Sequence, residues 1–112
     1  MLIAVARIEL RFRFAHSLKE KRKAMRSIID RCSSKFGIKV SEVDGQDSWQ
    51  RAVLGLAVVG GDANHVCSLR DKVADHILSS ESATVVLDDR ELIHFGDQSL
   101  LEAESLEGER WA

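Results

Sequence analysis

The sequence predicts an α+β domain: a ferredoxin-like βαββαβ sandwich, with a four-stranded antiparallel sheet and two helices on one face. Three observations carry this. Residues 2–14 alternate with a period of two, residues 17–36 recur at helical spacing behind a capping sequence, and a nearly continuous apolar segment at 50–59 ends at Gly60-Gly61 before a second helical pattern. With a short strand over 38–44 and a last one over 83–95, the order is that of the split βαβ plan. Right-handed crossovers put both helices on one sheet face and give strand order 4-1-3-2. A chain of 112 residues, 45% hydrophobic and 30% charged, suits one soluble globular domain that buries its own core.

Each element has its own warrant. In the first strand Leu2, Ala4, Ala6, Ile8, Leu10, Phe12 and Phe14 share one face, and Ile3, Val5, Arg7, Glu9, Arg11 and Arg13 share the other. Ser17-Leu18-Lys19-Glu20 has the form of a capping box and opens the first helix. Leu18, Met25, Ile28, Ile29, Cys32 and Phe36 form its inward stripe, and Gly37 supplies the left-handed stop. Asp44-Gly45 starts a turn, and the 50–59 segment reads as a central strand. Asp62 or Asn64 caps the second helix, which turns Val66, Leu69, Val73 and Ile77 inward. The last strand loses phase around Asp88-Asp89, where a bulge is expected. Residues 1–95 complete the domain, and 96–112 read as an acidic C-terminal tail.

Bulk charge conceals an asymmetry. Residues 1–56 hold 12 of the 16 Lys and Arg and 6 of the 18 Asp and Glu, a formal +6, while residues 57–112 carry −8. Basic density peaks in Lys19-Glu20-Lys21-Arg22-Lys23. On a helical wheel Lys19, Arg22, Lys23 and Arg26 fall within about one third of a turn, the arrangement that follows phosphates. The candidate anion or nucleic-acid surface is therefore Lys19, Lys21, Arg22, Lys23 and Arg26, with His16 and Ser17 at the helix mouth. The competing reading is a solvated face with local pairs such as Arg26–Asp30. A second cluster, Glu42, Asp44, Asp47, Trp49 and Arg51, is a candidate ligand or structural group. Its spacing matches no metal loop, and its Asp and Gly content suits a turn.

Other chemistry has little support. No Cys-x-x-Cys or helical i,i+4 His pair exists among Cys32, Cys67 and the four histidines, so no metal or cofactor is expected. No nucleophile motif accompanies the carboxylates, and the chain does not read as an enzyme. Two cysteines on helices are expected to be buried free thiols, which fits a reducing, cytoplasmic compartment. Arg7, Glu9, Arg11 and Arg13 interrupt the apolar start, which reads as a strand and not a signal. No apolar run approaches the roughly 18 residues of a membrane span. The uncovered sheet face retains an apolar strip, which self-association into a homodimer or higher oligomer would cover. The third-strand segment Arg51–Val58 has no aromatic residue, which argues against the base-stacking face of an RNA-recognition motif.

Two segments carry a family resemblance. His16-Ser-Leu-Lys-Glu-Lys-Arg22 and Glu42-Val-Asp-x-Gln-Asp-x-Trp-Gln-Arg-Ala52, followed by Leu54-Gly55-x-Ala57-Val58-Val59, resemble the bacterial DUF503, or YlxP-like, family over about residues 2–95. The resemblance implies a ferredoxin-like fold, a cytosolic protein and oligomerisation, with no established activity. It also implies genes for translation initiation and ribosome maturation as neighbours, which points the basic stripe toward RNA or the ribosome. This chain departs from the family pattern at Gly45, at Phe12-Arg13-Phe14, where a turn-like segment is common, and in the acidic tail.

Overall fold

In the computed structural model, which describes residues 1–96, six elements follow in the expected order. They are β1 (Leu2–Arg11), α1 (Leu18–Phe36), β2 (Ser41–Asp44), β3 (Arg51–Gly60), α2 (Ala63–Leu78) and β4 (Thr84–His94). The sheet is antiparallel throughout with order β2-β3-β1-β4, the ferredoxin-like arrangement. The acidic tail expected at 96–112 lies outside the described residues, apart from Gly96.

The core is the inner sheet face meeting one stripe of each helix. Even-numbered residues of β1 and the set Ala52, Leu54, Leu56 and Val58 of β3 bury against Met25, Ile28 and Cys32 of α1 and Val66, Val73, Ala74 and Ile77 of α2. Each fully buried Leu, Ile or Phe in that layer contributes about 1.5–3 kcal/mol over its exposed state. The alternation stops earlier than the sequence predicts. Phe12 is buried and its amide donates to Gln50 O at 2.8 Å, but the chain then reverses, and Ala15 takes the next inward place. Phe14, expected in the core, is 81% exposed.

The caps form as the sequence requires. Ser17 Oγ accepts from the Glu20 amide at 3.1 Å, while Glu20 Oε1 accepts from the His16 amide, one residue before the cap, at 2.6 Å. Gly37 ends α1 at φ 69° with its amide donating to Ser33 O, and Asp62 caps α2 through the His65 amide. The last strand does carry a bulge, but at Val86, not at Asp88-Asp89: Glu9 pairs with Leu87 and Leu10 with Val85. The extra residue sets the phase that turns Arg90 toward α2. No helix among the described residues is long and apolar enough to cross a membrane.

Candidate functional site

Lys21 lies on the apolar stripe of α1, at i, i+4, i+7 and i+11 with Met25, Ile28 and Cys32, and is fully buried. Its ammonium meets Glu42 Oε2 at 2.9 Å and the carbonyl oxygens of Gly45, Ser48 and Arg51 at 2.7, 2.6 and 3.0 Å. A buried cation is tolerated only when its charge and its donors are all answered, and here they are. This corrects the sequence assignment of Lys21 to the anion-binding surface: it faces the core side of the helix and pins the β2–β3 loop. The two motifs, separated in the chain, thus close on one another.

The rest of the loop is ordered around that pin. Gly45 sits at φ 84°, and a Cβ there would lie 2.8 Å from Arg51 O, so neither the backbone angle nor the space admits a side chain. Its amide donates to Asp44 Oδ1, and its oxygen also receives the Ser48 amide. Ser48 Oγ accepts from the amides of Gln50 and Arg51. Arg51 Nε reaches Glu9 Oε2 at 2.9 Å, and Nη2 reaches Asp44 Oδ2 at 3.5 Å. The hydrogen bond to Glu9 is the main reason the guanidinium is held more firmly protonated than usual. Glu42 and Asp44 are therefore ion-pair partners of Lys21 and Arg51, and Asp47 stands apart, exposed. Among the described residues no group of three His, Cys, Asp or Glu side chains is placed to hold a metal ion. Trp49, 43% exposed, has its ring centroid 6.3 Å from that of His16, so the loop and the helix mouth meet in space.

The outward face of α1 is different. Lys19, Arg22, Lys23 and Arg26 are all exposed and, with Ser27 and Asp30, line a shallow groove. Among the described residues none of the four cations forms an ion pair, the expected Arg26–Asp30 pair included. Lys23 and Ser27 also border a neighbouring groove of mixed charge, whose lining includes Arg31 and His76 but also Glu20 and Glu81. At the helix mouth the Ser17 hydroxyl and the His16 amide are already engaged with Glu20, whose carboxylate occupies the place an external anion would take.

The open sheet face divides in two. Ile3, Val5, Ala57, Val59 and Ile93 meet at one end of the paired strands; Arg7–Asp89 and Glu9–Arg51 bridge the other. Both cysteines are free thiols, Cys32 buried and Cys67 half-buried, and burial pushes the Cys32 thiol upward. Sequence reasoning missed the pin at Lys21 and the exposure of Phe14. The first had a legible signal, the spacing of Lys21 from Met25 and Ile28; the second had none within the strand pattern.

Comparison with known proteins adds a family. The family model described as "Protein of unknown function (DUF503)" matches residues 3–89. "Uncharacterized protein YlxP" of Bacillus subtilis (strain 168) is 41% identical over 58 residues, 52% of this chain. The match spans 63% of that relative's length.

Proposed function

We propose that this chain, which belongs to the DUF503 family, is an RNA- or ribosome-associated accessory factor that contacts phosphate through the outer face of α1. One observation supports it above the others. Among the described residues Lys19, Arg22, Lys23 and Arg26 have no carboxylate partner, and of the Lys and Arg side chains without one, these four share one exposed helix face. Four unpaired cations within about a third of the helix circumference, over two turns, cost the fold self-repulsion and return nothing to it; a polyanion removes that cost. The contacts proposed are these four. His16 and Ser17 serve the cap, and Lys21 serves the loop. No catalytic step is assigned, and the cytoplasm is the proposed compartment, where RNA is present and both thiols stay reduced.

The test is fluorescence anisotropy with ribosomal subunits and a structured RNA across a salt series. Four phosphate contacts give a log–log slope of about −3 to −4. Binding of unchanged slope by the Lys19→Glu, Arg22→Glu, Lys23→Glu, Arg26→Glu variant, folded by circular dichroism, would sink the proposal. A second reading is a homo-oligomeric interaction module without nucleic-acid binding, favoured by the apolar end of the sheet, where Val59 and Ile93 are exposed beside half-buried Ile3. Sedimentation equilibrium tests it: a monomer at high micromolar concentration rejects it.

A further inference from the structure

The end of the sheet next to the helix mouth gathers features that folding alone does not use. Arg11 lies directly opposite Arg51 on the neighbouring strand. Like charges in that position are destabilising. Arg51 is answered by Glu9 and Asp44, but Arg11 has no partner among the described residues. Arg13 follows, exposed, with one bond from Nε to Thr84 Oγ1 at 3.3 Å. Arg11, Arg13, Gln50 and the bulged Val86 line a cleft of about 450 Å³. The Gln50 backbone is engaged by Ser48 and Phe12, yet its side-chain amide makes no hydrogen bond among the described residues.

Two aromatic rings stand at the same end. Phe14, in the turn between β1 and α1, is 81% exposed, and Trp49, one residue before Gln50, is 43% exposed. An isolated exposed apolar residue needs no explanation. Two exposed aromatic rings, in loops at the sheet end that also carries two arginines and a free side-chain amide, offer the combination that holds unpaired nucleotides: cations for the backbone and ring faces for the bases. Lys21 fixes the segment carrying Trp49 in advance, which lowers the ordering cost of a ligand. The absence of aromatics on β3 is no obstacle, because the rings lie in the loops at the sheet's end and not on its face.

We infer that this end binds unpaired nucleotides of an RNA, with Arg11 and Arg13 on the phosphates and Phe14 and Trp49 stacked on the bases. The inference rests on the phosphate-contacting reading of α1 and deepens it: the preferred substrate is RNA in which a helical segment adjoins a bulge or single-stranded end.

The experiment compares two RNAs of equal charge, a perfect hairpin and one with a three-nucleotide bulge. The protein is the full chain with Trp111→Phe, so that Trp49 alone reports. The bulged RNA is expected to bind about tenfold tighter, as one or two stacked bases give, and to quench Trp49 emission. Phe14→Ala, a change on an exposed turn, and Trp49→Ala together should reduce the preference below about twofold while leaving the salt slope on the perfect hairpin unchanged. Arg11→Gln should lower the slope on the bulged RNA by about one. Equal affinity for the two RNAs, without quenching but with the salt slope intact, overturns this inference and leaves the α1 proposal standing. No binding of either RNA overturns both.

Discussion

The two faces of α1 carry the same residue types to opposite ends. Lys21 and Lys23 are two positions apart in one basic run. Lys21 is fully buried and meets four oxygen acceptors; Lys23 is exposed and has no ion pair among the described residues. A run of like charges is thus not one functional unit. Its members divide according to the helical phase they share with the core, and only the outward set is available to a partner. The second helix shows the complementary case. Its Asp71 and Asp75 are bound by Arg90, which also meets Asp88, and Arg70 adds a bond to Asp71, so that charge serves the fold.

The largest effect that separates the two faces is on stability. Lys21→Ala leaves Glu42 and three carbonyl oxygens without their cation, and is expected to cost about 3–5 kcal/mol in urea unfolding. Lys23→Ala should stay within about 0.5 kcal/mol. Equal losses in the two variants would erase the distinction. The pinned loop gives a smaller, steric test. Gly45→Ala meets both a positive φ and Arg51 O, at an expected cost of about 1–3 kcal/mol, whereas Gly61→Ala has open space and should be close to neutral. Ser17→Ala removes the cap on the outward run and should cost about 1 kcal/mol without altering the loop, as read by hydrogen exchange at residues 45–51.

Two further measurements sharpen the comparison with little change in stability. Lys23→Gln or Arg26→Gln should each lower the RNA salt slope by about one, while melting temperatures remain close to the parent's. On α2, burial pushes the Asp71 carboxyl upward, but its bonds to Arg70 and Arg90 outweigh that and hold it below its usual range. A depressed carboxylate contributes stability above its unfolded value of about 4, and loses it as pH falls through the folded value. Asp71→Asn should therefore flatten the acid side of the stability curve below about pH 4. An unchanged acid limb would show that these bonds do not persist in solution.

Much of the fold was legible because its determinants are local. The period of two in Leu2–Phe12, the Ser17 and Asp62 caps and the Gly37 stop each depend on a few neighbouring residues, and the strand order followed from crossover handedness. The errors came where distant segments compete for space. Phe14 fits the strand alternation, but the chain has to turn into α1, and Ala15 is the residue that packs. The bulge belongs at Val86 because the register against Glu9 and Leu10 decides it, and nothing within residues 83–95 records that register. Of the candidate site, the outward quartet was legible from the helical wheel, and the Glu42–Arg51 cluster was legible only as a group of residues without roles.

By itself the sequence determined the elements, their order, the basic face of the first helix and the family motifs. The spacing of Lys21 from Met25 and Ile28 marks it as inward, but the tertiary structure alone decided which acceptors it meets, and that His16 meets Trp49. It also showed that Arg11 and Arg13 share a cleft with Gln50 and Val86. The reason is physical: periodicity and capping act over a few residues, whereas burying one ammonium requires acceptors at positions 42, 45, 48 and 51 to converge on it, which only the packed chain arranges.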